Sequence, residues 1–226
     1  AFSGSVATFI FYSLYYAGSK KEKNKHFSGL KSAGRFSFLL HSIGVIGTIT
    51  ILFVALFNHW FEFDYVWRHS SLEMPMKYIA SCFWEGQEGS FLLWTTWHMI
   101  LGWVLIGTAG KWEFGTLMML AMVQMFLTSM LLGIYIGDIK IGSSPFILIR
   151  ELSENVGLPW TEMKDYLIRL PSLRNGQGLN PLLQNYWMVI HPPTLFLGFA
   201  SVTIPFLFAI TGNLEKRYID WVIPAF

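Results

Sequence analysis

The sequence predicts an all-α protein: a polytopic transmembrane helix bundle of about five to six spans, with an amphipathic helix on its outer side. Three observations lead there: an apolar composition, apolar stretches of membrane-spanning length, and a one-sided distribution of Lys and Arg. Of the 226 residues, 53% are hydrophobic and 13% charged, against roughly 25% charged in ordinary soluble domains. Too few polar side chains remain to cover a water-facing surface, so much of the surface should meet lipid. The net charge of +2 and the lack of a basic run interleaved with aromatics argue against nucleic acid as a partner. Twenty Phe, ten Trp and nine Tyr suit interfacial belts and a flat, apolar ligand.

A helix needs about 20 apolar residues to cross the hydrocarbon core. Residues 1–18, 36–60, 90–109, 114–136 and 187–212 reach or approach that length, and a sixth stretch begins near Tyr218. The first stretch has neither a basic leader nor a small-residue cleavage site, so no signal peptide is expected. The first residue is Ala rather than Met, so the natural start is expected to lie upstream.

Orientation follows from Lys and Arg, which favour the inner side. The segment after the first span holds Lys20, Lys21, Lys23, Lys25, Lys31 and Arg35, opposed only by Glu22. Alternating spans put Lys111, Lys216 and Arg217 on that same side. The other side carries residues 61–89, where Glu62, Asp64, Glu73, Glu85 and Glu88 outnumber Arg68 and Lys77. It also carries residues 137–186, whose charges balance. The whole chain reads as one transmembrane domain with these two outer segments, its start outside and its end inside.

A connection of about 50 residues is functional or has structure of its own. Met163, Tyr166, Leu167 and Leu170 fall at helical spacing opposite Glu162, Lys164, Asp165 and Arg169, which predicts a short amphipathic helix. It lies either on the membrane surface or on the protein itself. The sequence contains no internal repeat and no low-complexity tract. Cys82 is the only cysteine, so any thiol chemistry the protein serves must draw its thiols from another chain.

Two stretches invite chemistry. In Trp84-Glu85-Gly86-Gln87-Glu88-Gly89-Ser90-Phe91-Leu92-Leu93-Trp94, two carboxylates stand at the head of an apolar span. Ionisable groups at a membrane boundary are costly unless paired or wet, which favours a functional reading. The plainer reading is a helix start with acidic side chains at its positive end and Trp at the interface. In Gly178-Leu179-Asn180-Pro181-Leu182-Leu183-Gln184, followed by His191-Pro192-Pro193, the prolines predict a first helical turn with His191 at its mouth. An imidazole there either meets a ligand, iron being well suited, or caps the helix by a hydrogen bond.

Together these motifs resemble the CcmF haem lyases of cytochrome c maturation. Asp64-Tyr65-Val66 and Ser144-Pro145-Phe146 are weaker echoes, and the resemblance runs over essentially the whole chain. It implies a protein of the bacterial inner membrane, less plausibly of the mitochondrial one, that receives b-type haem from a haem chaperone at the outer face. Such a protein joins the haem vinyl groups to the CxxCH cysteines of apocytochrome c, working with other maturation subunits. By the same resemblance His191 is an axial ligand of the haem awaiting transfer. Glu85, Glu88, Asn180 and Gln184 are expected to shape the outer pocket. Trp84, Trp94, Pro192 and Pro193 are expected among the apolar and aromatic surroundings of the macrocycle.

The family also has a tryptophan-rich outer segment, a second outer His and two membrane His holding a structural haem, all beyond Phe226. A split gene, with a separate chain carrying the tryptophan-rich segment, or a piece of a longer chain is therefore expected, inactive alone. The second outer segment is longer than the family pattern, with extra residues around 147–170. His98, about 12 Å into the third span at 1.5 Å per residue, matches no family ligand and is expected to make an interhelical hydrogen bond. His59 and His69 read as interface residues, and His26 and His41 lie on or near the basic side. The alternatives are a non-catalytic haem-binding or haem-transport subunit, a respiratory electron-transfer subunit, and a transporter.

Overall fold

The computed structural model describes residues 1–21 and 28–225. Glu22, Lys23, Lys25, His26 and Phe226 lie outside the described residues. Five long helices occupy the five apolar stretches: α1 Phe2–Lys21, α2 Ser28–Phe57, α5 Gln87–Thr108, α6 Glu113–Ser129 and α8 Tyr186–Leu214. Between or after them stand the short helices α3 Asp64–His69, α4 Met76–Glu85, α7 Tyr166–Arg169 and α9 Val222–Ala225, and a hairpin of β1 Ile134–Ile136 and β2 Ile139–Ile141. By length and hydropathy, α2, α5 and α8 each suffice to cross a membrane. Helix α6, with 17 residues, is about 26 Å long at 1.5 Å per residue.

The chain divides into two compact units. The first comprises Ala1–Gly47, Trp94–Ser129 and Leu195–Phe226, and the second Thr48–Leu93 and Met130–Thr194. The first is built on Tyr12, Phe38, Trp112, Leu117, Leu120, Leu207 and Phe208. Here Arg35 donates to both oxygens of the buried Glu113 carboxylate at 2.7 Å, and Lys31 Nζ stands 3.2 Å from it. Tyr12 of α1 adds its hydroxyl at 3.3 Å, and Tyr15 stacks on Phe114 with ring centroids 3.9 Å apart. Lys111 and Arg217 lie over the Trp112 ring, 5.4 and 5.9 Å from its centroid. Lys31, Arg35, Lys111 and Arg217 thus gather around Trp112 and Glu113.

The second unit joins the two outer segments, which read as separate in the sequence. Asp64 N–H donates to Ile147 O and Ile149 N–H to Glu62 O, both at 2.9 Å, and Gln177 N–H donates to Trp67 O at 2.7 Å. Beneath these strand-like contacts lies a core of Leu52, Leu56, Phe61, Tyr65, Val66, Cys82, Phe83, Leu92 and Leu179.

Three boundaries differ from the sequence reading. The fourth span stops at Ser129 rather than Ile136, because Gly133 and Gly137 adopt φ of +59° and +60°. That is the left-handed region open to glycine, and Gly137 sits at the first central position of a two-residue hairpin loop. The amphipathic helix is a single turn, α7, and it packs on the protein: Tyr166, Leu167 and Leu170 meet Ile149, Leu173, Trp67 and Trp160. Helix α8 begins at Tyr186, not at His191. Asn185 starts it, its side chain accepting the Met188 N–H at 3.2 Å, so Pro192 and Pro193 fall in the second turn.

Candidate functional site

The corner between α4 and α5 is where the first motif folds, and Tyr65 holds it. The Tyr65 ring is buried. Its hydroxyl donates to Phe83 O at 2.8 Å and accepts the Gly86 N–H at 3.2 Å. A Cβ on Gly89 would collide with Phe83 O and the Tyr65 hydroxyl, so the second glycine of the motif is needed for close approach. The Asp64-Tyr65-Val66 echo therefore supports the corner that the stronger motif forms.

Glu88, Asp64, Arg68, His69, Lys140 and Ser144 line a polar cavity of about 360 Å³ at this corner. Arg68 bonds Asp64 at 2.8 Å and reaches Glu154 at 3.6 Å. His69 Nδ1 donates to Tyr65 O at 2.7 Å, and burial lowers its pKa. Glu85 sits apart from that lining. One of its carboxylate oxygens is buried without a partner among the described residues, and burial pushes its pKa up to about 7. The Cys82 thiol is fully buried against Met74 Sδ and Tyr78 O, both at 3.4 Å, and burial pushes it up to about 12. A thiol so held is not a nucleophile.

The second motif meets the first through a backbone atom. Pro192 has no N–H, so the Met188 carbonyl lacks its i+4 donor. The Trp84 indole N–H donates to that carbonyl at 2.8 Å, and Trp84 and Met188 pack on the core that includes Leu179. Asn180 and Gln184 act within their own turn. Asn180 Oδ1 accepts the Leu182 N–H at 3.0 Å, and Gln184 donates to Leu179 O at 3.0 Å. Both shape the approach to α8 through backbone bonds.

His191 lies exposed on α8, and its ring makes no hydrogen bond among the described residues. The reading of His191 as a capping residue is thereby set aside. Pro192 and Pro193 beside it are half-buried. Trp187, one helical turn earlier and 70% exposed, shares its face,, and Tyr186 and Ile190 are exposed alongside. An unengaged imidazole bordered by exposed flat and apolar side chains fits axial ligation of haem iron from one side. Among the described residues, no group of three His, Cys, Asp or Glu side chains is arranged to hold a bare metal ion.

Trp94 belongs to a different cluster, in the first unit. Its ring lies 6.1 Å from Phe196, 5.9 Å from Phe199 and 5.9 Å from His98. His98 Nε2 pairs with Thr203 Oγ1 at 3.0 Å, the interhelical bond expected of it. Phe196 and Phe199 were not singled out in the sequence, although they fall three apart on α8 as Trp94 and His98 fall four apart on α5. The contribution of Trp187 was missed as well. Its i, i+4 spacing from His191 is the signal that carries it.

A family model described as Cytochrome C assembly protein matches residues 84–219. The chain is similar to the cytochrome c-type biogenesis protein CcmF of Pseudomonas fluorescens, 30% identical over 195 residues that cover 84% of this chain and 25% of that protein. It is likewise similar to CcmF of Escherichia coli (strain K12), at 27% identity over 86% of this chain and 27% of that protein. A solved structure described as Cytochrome c Heme Lyase CcmF shares the fold, with a TM-score of 0.71 at 20% identity, over 99% of this chain and 30% of that one. The chain thus spans about a quarter of the length of these curated relatives.

Proposed function

The chain belongs to the cytochrome c assembly protein family, and on that premise we propose that it is the haem-handling part of a cytochrome c haem lyase in a bacterial cytoplasmic membrane. One observation carries the reading: the exposed imidazole of His191, free of any hydrogen bond among the described residues, beside exposed Trp187 on the same helical face. Haem is the cargo; it supplies an iron that takes an axial nitrogen and vinyl groups to which cysteine S–H adds. His191 holds the iron and so fixes one face of the macrocycle. Trp187, Tyr186 and Ile190 give that face an apolar border. Trp84 fixes the segment of α8 that presents the imidazole, by occupying the carbonyl that Pro192 frees. Glu88 and the cavity beside Arg68 and Lys140 offer a polar surface for the partners of the reaction.

Cys82 is too deeply buried to take part, so the thiols are those of the apocytochrome CxxCH. A haem chaperone delivers the cargo, and other maturation subunits, including a separate chain if one carries the tryptophan-rich segment, complete the site. The test is His191→Ala in a host that depends on this protein for its c-type cytochromes, with the protein's level followed by immunoblot. Covalently bound haem on denaturing gels is expected to fall to background at unchanged protein level. Normal covalent haem, with haem still bound to the wild-type protein, would identify a haem carrier and leave attachment to another subunit.

A further inference from the structure

Helix α2 stops abruptly, and a cleft opens at its end. The Trp60 N–H donates to Ala55 O at 3.0 Å and the His59 N–H to Leu56 O at 3.3 Å, while His59 takes φ of +52°. Two such bonds closed by a left-handed residue form the Schellman helix stop, where glycine is usual. The chain leaves the helix at once, so Trp60, Phe61 and Glu62 follow directly on its last turn. With α7 and the turn after it, they line an open cleft of about 520 Å³, apolar except for His59, Glu62 and Arg174. Phe61 and Leu173 are its buried residues, and Trp60 and Ile168 border it, 39% and 68% exposed. All of these residues belong to the second unit.

Two charged side chains of this lining have no partner. Arg174 Nε donates to Ile168 O at 2.7 Å, which fixes the guanidinium at the cleft and leaves its two terminal nitrogens unengaged among the described residues. Neither Glu62 nor Arg174 forms an ion pair, with the other or with any other described side chain. Lipid is at hand here. Helix α2 is long and apolar enough to cross a membrane, and its last turns, within this unit, expose Ile51, Val54 and Phe57 by 51%, 41% and 42%. That apolar row leads up to Trp60, an indole at the end of a span, where membrane boundaries favour it. Arginine takes a phosphate through two parallel N–H bonds, and a carboxylate accepts from an ammonium. An apolar cleft that keeps one cation and one carboxylate apart is thus complementary to a headgroup carrying both groups above an acyl chain. A purely anionic headgroup would leave Glu62 facing like charge.

We propose that this cleft binds phosphatidylethanolamine from the leaflet at that end of α2, with Arg174 on the phosphate, Glu62 on the ammonium, and Trp60 and Ile168 against the start of an acyl chain. The test is native mass spectrometry of the full chain, stripped of lipid in detergent and offered one lipid at a time. Phosphatidylethanolamine should bind about tenfold more tightly than phosphatidylcholine, whose trimethylated nitrogen has no N–H to donate, the factor expected of one charged hydrogen bond. Glu62→Gln should abolish that preference, and because the Glu62 side chain makes no bond among the described residues, the fold should tolerate it. Arg174→Gln should weaken both lipids about tenfold, and Arg174→Lys should recover most of the loss. Inorganic phosphate should not displace the lipid. Equal binding of phosphatidylethanolamine, phosphatidylcholine and diacylglycerol, or an unchanged preference in Glu62→Gln, would overturn the proposal. Displacement by inorganic phosphate would also overturn it and make this a site for the free ion.

Discussion

Pro192 leaves the Met188 carbonyl without its helical donor, and the Trp84 indole provides one. Trp84→Phe keeps most of the ring's bulk and strands that carbonyl, at a cost of about 1–3 kcal/mol for a buried unsatisfied group. Thermal unfolding of the purified protein should register the loss. Pro192→Ala restores an N–H to the helix, so in that background Trp84→Phe should cost clearly less; an equal cost in both would disprove the coupling. Glu85 makes a pH prediction. Burial raises its folded pKa from 4.5 to about 7, so between those values the folded state holds a proton the unfolded state has released. Stability should therefore fall as pH rises from about 4.5 through about 7. Glu85→Gln should flatten that slope and be the more stable form above it. A wild-type melting curve with no pH dependence in that window would contradict the burial of this carboxyl.

The elements differ in how much of them the sequence reveals. Apolar length alone located all five long helices, because a membrane span must satisfy its backbone internally and declares itself by hydropathy. Their ends were less legible. Leu131, Leu132 and Ile134 continue the apolar run past Ser129, and only the backbone angles of Gly133 and Gly137 reveal the break. At α8 the paired prolines mimic a helix start, while the side chain of Asn185 makes the real one. The α4–α5 corner shows why a motif glycine was visible before its reason was. Gly89 faces Phe83 O and Tyr65, brought in from a distant helix, whereas Gly107 on the same α5 has nothing within 4 Å of a built Cβ. Gly107→Ala should be neutral or stabilise by up to about 1 kcal/mol, the helix preference of alanine. Gly89→Ala should force the corner open and sharply reduce the amount of folded protein in membranes. Equal accumulation of the two variants would mean the corner is not so tightly closed.

At the scale of the molecule, each of the two units is held in its own way. In the first unit Lys31 and Arg35 meet one buried carboxylate: the Glu113 side chain is 3% exposed and that of Arg35 41%. Removing the exposed partner strands the buried one, so Arg35→Ala should destabilise more than Glu113→Gln. With Lys31 still present, the loss should stay below the about 3–5 kcal/mol of a fully stranded buried charge. Charge patterning groups these basic residues but does not reveal that Glu113 binds Lys31 and Arg35, since a lone Glu before an apolar run reads as an ordinary helix start. The second unit is built from two distant segments, and His191 lies exposed in it. That imidazole is the centre of the account, and spectroscopy of the membrane-purified protein tests it most directly. The wild type should carry haem with histidine-ligated absorption. His191→Ala should lose it, and added imidazole should restore it. Unchanged haem content and spectrum in His191→Ala would contradict the account.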